Sequence, residues 1–85
     1  MHPLASARKK VVGFKQSIKM IERTLAKTVY LASDADEKIR QPILEACKER
    51  GIPVIENETI SELGKASGIQ IGTAVAVILE PGISE

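Results

Sequence analysis

The chain has 85 residues, with 12 lysines and arginines against 11 acids, 44% hydrophobic residues, and only one cysteine, one phenylalanine and one tyrosine. That length holds one small domain, which must bury about 60–65% of its unfolded surface, and the apolar content supports a folded core rather than disorder. The composition excludes an internal disulfide framework or multi-cysteine metal site and argues against single-strand binders that stack bases on exposed rings; the longest apolar stretch, Ala74 to Leu79, is too short to cross a bilayer.

The elements alternate along the chain. Pro3 to Arg8 is a short helix candidate, and Lys10 to Gly13 a short strand ending at a glycine. An amphipathic helix follows from about Lys15 to Leu25. On a wheel of about 100° per residue, Phe14, Ile18, Ile21 and Leu25 fall within roughly 60° of one another and should pack inward. Lys15, Lys19 and Arg23 project away from them at i, i+4 and i+8, with Gln16 beside them. Thr28 to Ala32 is apolar and β-branched and reads as a buried strand. Asp34-Ala35-Asp36-Glu37 reads as an acidic turn. The next helix is expected from Pro42 at N1 to Gly51 at C′. Pro53 to Ile55 is a third strand. Thr59-Ile60-Ser61-Glu62 has capping-box spacing, and its helix should end near Gly68. Ala74 to Leu79 is the last strand, and Pro81-Gly82 reads as the end of the ordered chain. Strands separated by helices predict an α/β sandwich with helices on both faces of a central sheet.

The net charge of +1 conceals two halves of opposite sign. Residues 1–33 carry seven basic groups and one acid, a balance of +6; residues 34–85 carry five and ten, a balance of −5. A basic stripe of like charges gains nothing on an isolated helix, whereas a phosphate backbone would turn the repulsion into attraction. The same stripe is also compatible with a solvated helix face, or with an acidic protein partner.

Other chemistry has little support. Asp34, Asp36 and Glu37 lack a histidine or cysteine beside them and read as a solvated turn rather than a metal site. Leu63-Gly64-Lys65-Ala66-Ser67 fails as a P-loop: Thr59 stands where the first glycine belongs, and alanine follows Lys65. Cys47 reads as a small core residue. His2 is the only histidine and is expected in a frayed terminus. With no positioned base, nucleophile or carboxylate pair, catalysis has no machinery, and no cofactor is expected. A second informative segment is Gly68-Ile69-Gln70-Ile71-Gly72. Its isoleucines either tuck into the core or form an exposed apolar ledge against which a splayed-out base would pack.

Four ordered blocks then resemble one family, the kink-turn-binding ribosomal proteins of the L-seven-Ae type and their bacterial branch. They are Gly13-Phe14-Lys15-Gln16-Ser17-Ile18-Lys19, Val29 to Asp36, Cys47 to Pro53, and Leu63 to Ile69, and with the final small-apolar strand they cover about Arg8 to Leu79. The resemblance implies a three-layer α-β-α sandwich around a four-stranded mixed sheet. It implies binding to kink-turns, bent RNA elements with tandem sheared G·A pairs. In archaeal and eukaryotic members an Asn-Glu pair after the glycine reads the guanines; here the pair is Lys15-Gln16, similar to the bacterial branch. By the resemblance, Gly13 lets a backbone approach closely, Lys15 and Gln16 reach base edges, and Lys19 and Arg23 meet phosphates. Ile69, Gln70 and Ile71 would cup a flipped-out nucleotide. Glu58 departs from the basic residue of some relatives, which would lower affinity.

The expectation is therefore one cytoplasmic, monomeric, non-enzymatic domain over residues 1–85, with no membrane association, no metal and no cofactor. Its partner would be structured RNA, a kink-turn of ribosomal RNA above all. A relative on this fold that reads another RNA internal loop, and a protein-interaction module using the basic helix, are the alternatives.

Overall fold

A computed structural model describes residues 2–80. It contains α1 (Pro3–Ser6), β1 (Lys10–Val12), α2 (Phe14–Glu22), β2 (Ala26–Leu31), α3 (Glu37–Arg50), β3 (Val54–Ile55), α4 (Ile60–Ser67) and β4 (Val75–Leu79). The four strands form one sheet in the order β1-β4-β2-β3. Central β4 runs antiparallel to both β1 and β2, and β3 runs parallel to β2. The first three strands therefore point the same way, and the helix after each of them starts at the same rim of the sheet.

Two apolar layers cover the sheet. On one face Met20 and Ile21 of α2 and Ile43, Ala46 and Cys47 of α3 pack on Val29, Leu31, Val75, Val77 and Leu79. On the other, Leu4 of α1 and Leu63 of α4 pack on Tyr30, Ala32 and Ala76. Alternation along β2 and β4 sends neighbouring residues into opposite layers, so β4 and residues 29–31 of β2 are covered on both sides and read as continuous apolar runs. The result is the expected three-layer α-β-α sandwich with a mixed four-stranded sheet. Pro81 and Gly82 lie outside the described residues.

Several local expectations need correction. α3 starts at Glu37 rather than at Pro42, which lies inside it. Asp36, read as part of a turn, caps the helix: its Oδ1 accepts from Lys38 N at 2.9 Å. A side-chain cap and the acidic Glu37 in the first turn favour an early start, and they outweigh the amide bond that Pro42 cannot donate. The inward stripe of α2 is rotated. Ser17, Met20 and Ile21 are buried, while Phe14, Ile18 and Leu25 flank them half-buried, because α2 packs against α3 as well as the sheet. His2 is not frayed. Its Nδ1 accepts from Leu4 N at 3.0 Å, capping α1, and its Nε2 lies 2.7 Å from Glu58 Oε1. Its ring also leans on Tyr30, with centroids 5.3 Å apart. The carboxylate at position 58 is thus engaged within the protein. Burial, with the charge of Glu58 adding to it, raises the Tyr30 pKa. Burial likewise pushes the Cys47 thiol up to about 11, so it stays protonated at neutral pH.

The helix ends share one device with one exception. In α2, Thr24 N donates to Ile21 O and Leu25 N to Met20 O, both at 2.9 Å, which is a Schellman motif. α3 and α4 close in the same way on Gly51 and Gly68, at φ of 66° and 80°. α2 places a threonine there, at φ 59°, the only non-glycine residue with positive φ among those described. A β-branched side chain is strained in that region. Thr24→Gly is therefore expected to stabilise the protein by about 0.5–1 kcal/mol, after the entropy glycine adds to the unfolded chain is subtracted. Thermal denaturation checks this; an unchanged or lower Tm would mean that the threonine side chain compensates for its own strain.

Candidate nucleic-acid interface

The rim at the carboxyl ends of β1, β2 and β3 receives three helix N-termini, each with free amides and a positive dipole end. Two of them are closed by the protein itself. Asp36 caps α3. Thr59 Oγ1 accepts from Glu62 N at 3.2 Å and Glu62 Oε1 from Thr59 N at 2.8 Å, completing the capping box of α4. Asp34 Oδ1 accepts from Ile60 N at 2.8 Å and fills the same helix end further. α2 alone has neither a side-chain cap nor an acid in its first turn. Its N-cap, Gly13, sits at φ 102°, and a Cβ there would meet nothing within 4 Å. Glycine is required at that position by its backbone angle, and the space in front of it is open. Of the three, this is the helix end that would receive an anion.

Lys15 and Gln16, in the first turn, are exposed beside that opening, and Lys19 and Arg23 continue the exposed row. None of these three cations makes an ion pair among the described residues. Their charge is therefore uncompensated, in contrast to Arg40, which is held by Glu37 and Glu56. Arg23, the C-cap of α2, lies some 12 Å along the helix from Lys15 and hence toward the opposite rim.

The segment 69–73 returns to the first rim across α4. Ile69 N donates to Gly64 O and Thr73 N to Ile60 O, both at 3.1 Å, so it is tied down at each end. Between these ties its backbone lies flat on the helix. A Cβ on Gly64 would overlap the Ile71 carbonyl and stand 2.8 Å from Gly72 Cα. With the backbone pressed inward, Ile71 points out and is 77% exposed; Gln70 is exposed and Ile69 half-buried. Of the two readings of these isoleucines, the ledge describes Ile71, and Ile69 is partly tucked in. Gly13 N donates to Val75 O at 3.0 Å. That bond joins the open end of α2 to the strand this segment feeds, so Gly13, Lys15, Gln16 and Ile71 occupy one rim. The clamp by Gly64 and Gly72 has no signal in the local sequence pattern, because Gly72 lies outside α4 and meets it only through the returning segment.

No group of three or more potential metal ligands occurs among the described residues, and no helix there is long and apolar enough to cross a membrane.

The sequence model of the ribosomal protein L7Ae/L30e/S12e/Gadd45 family matches residues 2–85. The chain belongs to that family. It is similar to RNA-binding protein TTE2299 of Caldanaerobacter subterraneus subsp. tengcongensis, 43% identical over 68 residues, 80% of this chain and 83% of that protein. It is also similar to RNA-binding protein YbxF of Geobacillus stearothermophilus, 38% identical over 73 residues, 86% of this chain and 89% of that one. Among solved structures, a Giardia lamblia 15.5 kD RNA-binding protein superposes with a TM-score of 0.82 at 29% identity, covering 93% of this chain and 67% of the other. A Bacillus halodurans protein of unknown function gives 0.81 at 28% identity, with 93% and 79% covered. The sequence family and fold of this chain are thus those of RNA-binding proteins.

Proposed function

We propose that this protein is a single-domain, non-catalytic RNA binder that recognises kink-turns, with ribosomal RNA as the source of the element. What supports the reading is the uncapped N-terminus of α2 with Lys15 and Gln16 exposed in its first turn, bonded through Gly13 N to the strand that the segment carrying the outward Ile71 feeds. Each part matches a different feature of a sharply bent RNA. The open amides and Lys15 suit a phosphate or a guanine O6/N7 edge, Gln16 donates and accepts at a base edge, and Ile71 offers an apolar surface to a nucleotide thrown out of the stack. A bent RNA presents two grooves to one small footprint, so an 85-residue domain is sufficient. Readout is mainly of shape, with few guanine contacts.

The test is a titration, at fixed salt, against a kink-turn RNA and the same RNA with its G·A pairs disrupted. Tight binding to the intact element and loss on the disrupted one is the expected result. Equal binding to both would replace kink recognition with generic attraction, and no binding to either would favour an acidic protein partner.

The basic row has its own signature. Lys19→Ala with Arg23→Ala should weaken binding to all RNAs alike and make the salt dependence shallower by about one ion per charge removed. Unchanged affinity and slope would reduce the row to a solvated helix face.

A further inference from the structure

Three of the seven N-terminal cations, Arg8, Lys9 and Lys27, line a groove of about 430 Å³ floored by Ile78 and Leu79 and bordered by Glu80. The groove lies at the start of β1 and β2 and the end of β4, the rim opposite to Gln16. Two backbone irregularities meet there. The pairing of β2 with β4 slips between Ala26 and Thr28, so Lys27 stands at a bulge, the only register shift among the described residues. A bulge re-aims the side chain it carries, and Lys27 is exposed between buried Ala26 and half-buried Thr28. The strained Thr24 is three residues earlier, and Leu25 O, between the two, accepts from Glu80 N at 2.9 Å. The first sets where Lys27 points, and the second closes α2 and turns the chain into this corner.

Arg8 and Lys27 make no ion pair among the described residues. Arg23, at the C-terminal end of α2, stands at this same rim four residues before Lys27, and Lys19 and Lys15 continue from it along α2 toward the other rim. Glu22 lies between Lys19 and Arg23 in sequence and Glu80 borders the groove, and none of the five cations Arg8, Lys15, Lys19, Arg23 and Lys27 makes an ion pair among the described residues. Lys10 is not among them, because its Nζ donates to Leu4 O at 2.9 Å.

We propose that the groove at Arg8 and Lys27 is a second RNA contact, seating the phosphate backbone of one stem that flanks the kink. It rests on the RNA-binding reading above and extends it: the open end of α2 meets the kink, and the far corner meets the stem that runs down α2. Recognition there is of charge alone, so it adds affinity without sequence preference.

The experiment uses the full chain and one kink-turn whose two flanking stems are lengthened in turn by a full helical turn, with Kd followed across a salt series. Wild type should bind one lengthened RNA about three- to tenfold tighter than the short parent, with a salt slope steeper by about two. Arg8→Ala with Lys27→Ala should erase that advantage and leave the Kd for the short parent unchanged. Arg8→Lys with Lys27→Arg should retain the advantage. Indifference of wild type to the length of both stems, or equal losses by the alanine pair on short and long RNAs, would overturn the inference. Failure of the kink reading itself shows separately, as indifference of wild type to G·A disruption in the short parent.

Discussion

Gly64→Ala is expected to destabilise the protein and to lift the segment that carries Ile71. Alanine is the better helix former by about 1 kcal/mol, and Gly64 lies inside α4, so a propensity argument alone predicts stabilisation. The contact decides otherwise. The added methyl meets backbone, the Ile71 carbonyl and Gly72 Cα, rather than the end of a flexible side chain. Inserting a methyl against a fixed neighbour costs about 1–3 kcal/mol and sometimes more. A drop in Tm, together with weaker binding to the intact kink-turn, would show both consequences. Higher stability with undiminished binding would mean that the segment gives way freely, and that its position has no bearing on the ledge.

Gln16→Ala is the sharpest test of specificity. Gln16 is exposed and uncharged, so its removal barely alters the field felt by phosphates. If it bonds to a guanine edge, its loss should cost about 1–3 kcal/mol on an intact kink-turn and close to nothing on plain duplex. Ile71→Asp should show the same selectivity for another reason. It replaces the exposed apolar surface with a charge that a packed nucleotide would have to desolvate and that repels phosphate. Titrations of both variants against intact and G·A-disrupted RNA decide the matter. Equal losses on the two RNAs, or none on either, would remove these residues from kink recognition.

Much of this was legible in the chain. Periodicity and capping signals placed all eight elements, because both faces of the sheet are covered and β4 and the second half of β2 must be apolar. The misplaced start of α3 came from giving Pro42 the N1 role, when Asp36 had the stronger claim as a cap. The rotated stripe of α2 reflects a helix packed on two neighbours, where Met20 is buried by α3 as well as the sheet and a one-sided wheel is insufficient. In the candidate interface, the exposure of Lys15, Gln16, Lys19 and Arg23 followed from the wheel. The fate of Ile69 and Ile71 did not, since apolar residues in an irregular segment carry no periodicity to say which way they face. Local patterns likewise miss the press of residues 71 and 72 on Gly64, a contact seven to eight residues away in sequence. The bulge at Lys27 depends on strand pairing, and a threonine in the left-handed region runs against preference.

The strand order also constrains how the molecule comes into being. β4, latest of the strands in sequence, sits between β1 and β2, pairing Lys10 with Ile78 and Thr28 with Ile78. Until residues 75–79 have been synthesised, β1 and β2 face an empty slot with unpaired backbone groups, and the places of Val75, Val77 and Leu79 in one apolar layer and of Ala76 in the other are unfilled. A nascent chain shorter than that has no complete sheet to fold into, so folding is concerted and late, dominated by pairings distant in sequence and slower than that of a helical protein of the same size. Fragments ending before β4 would present two open edges and join other chains through them.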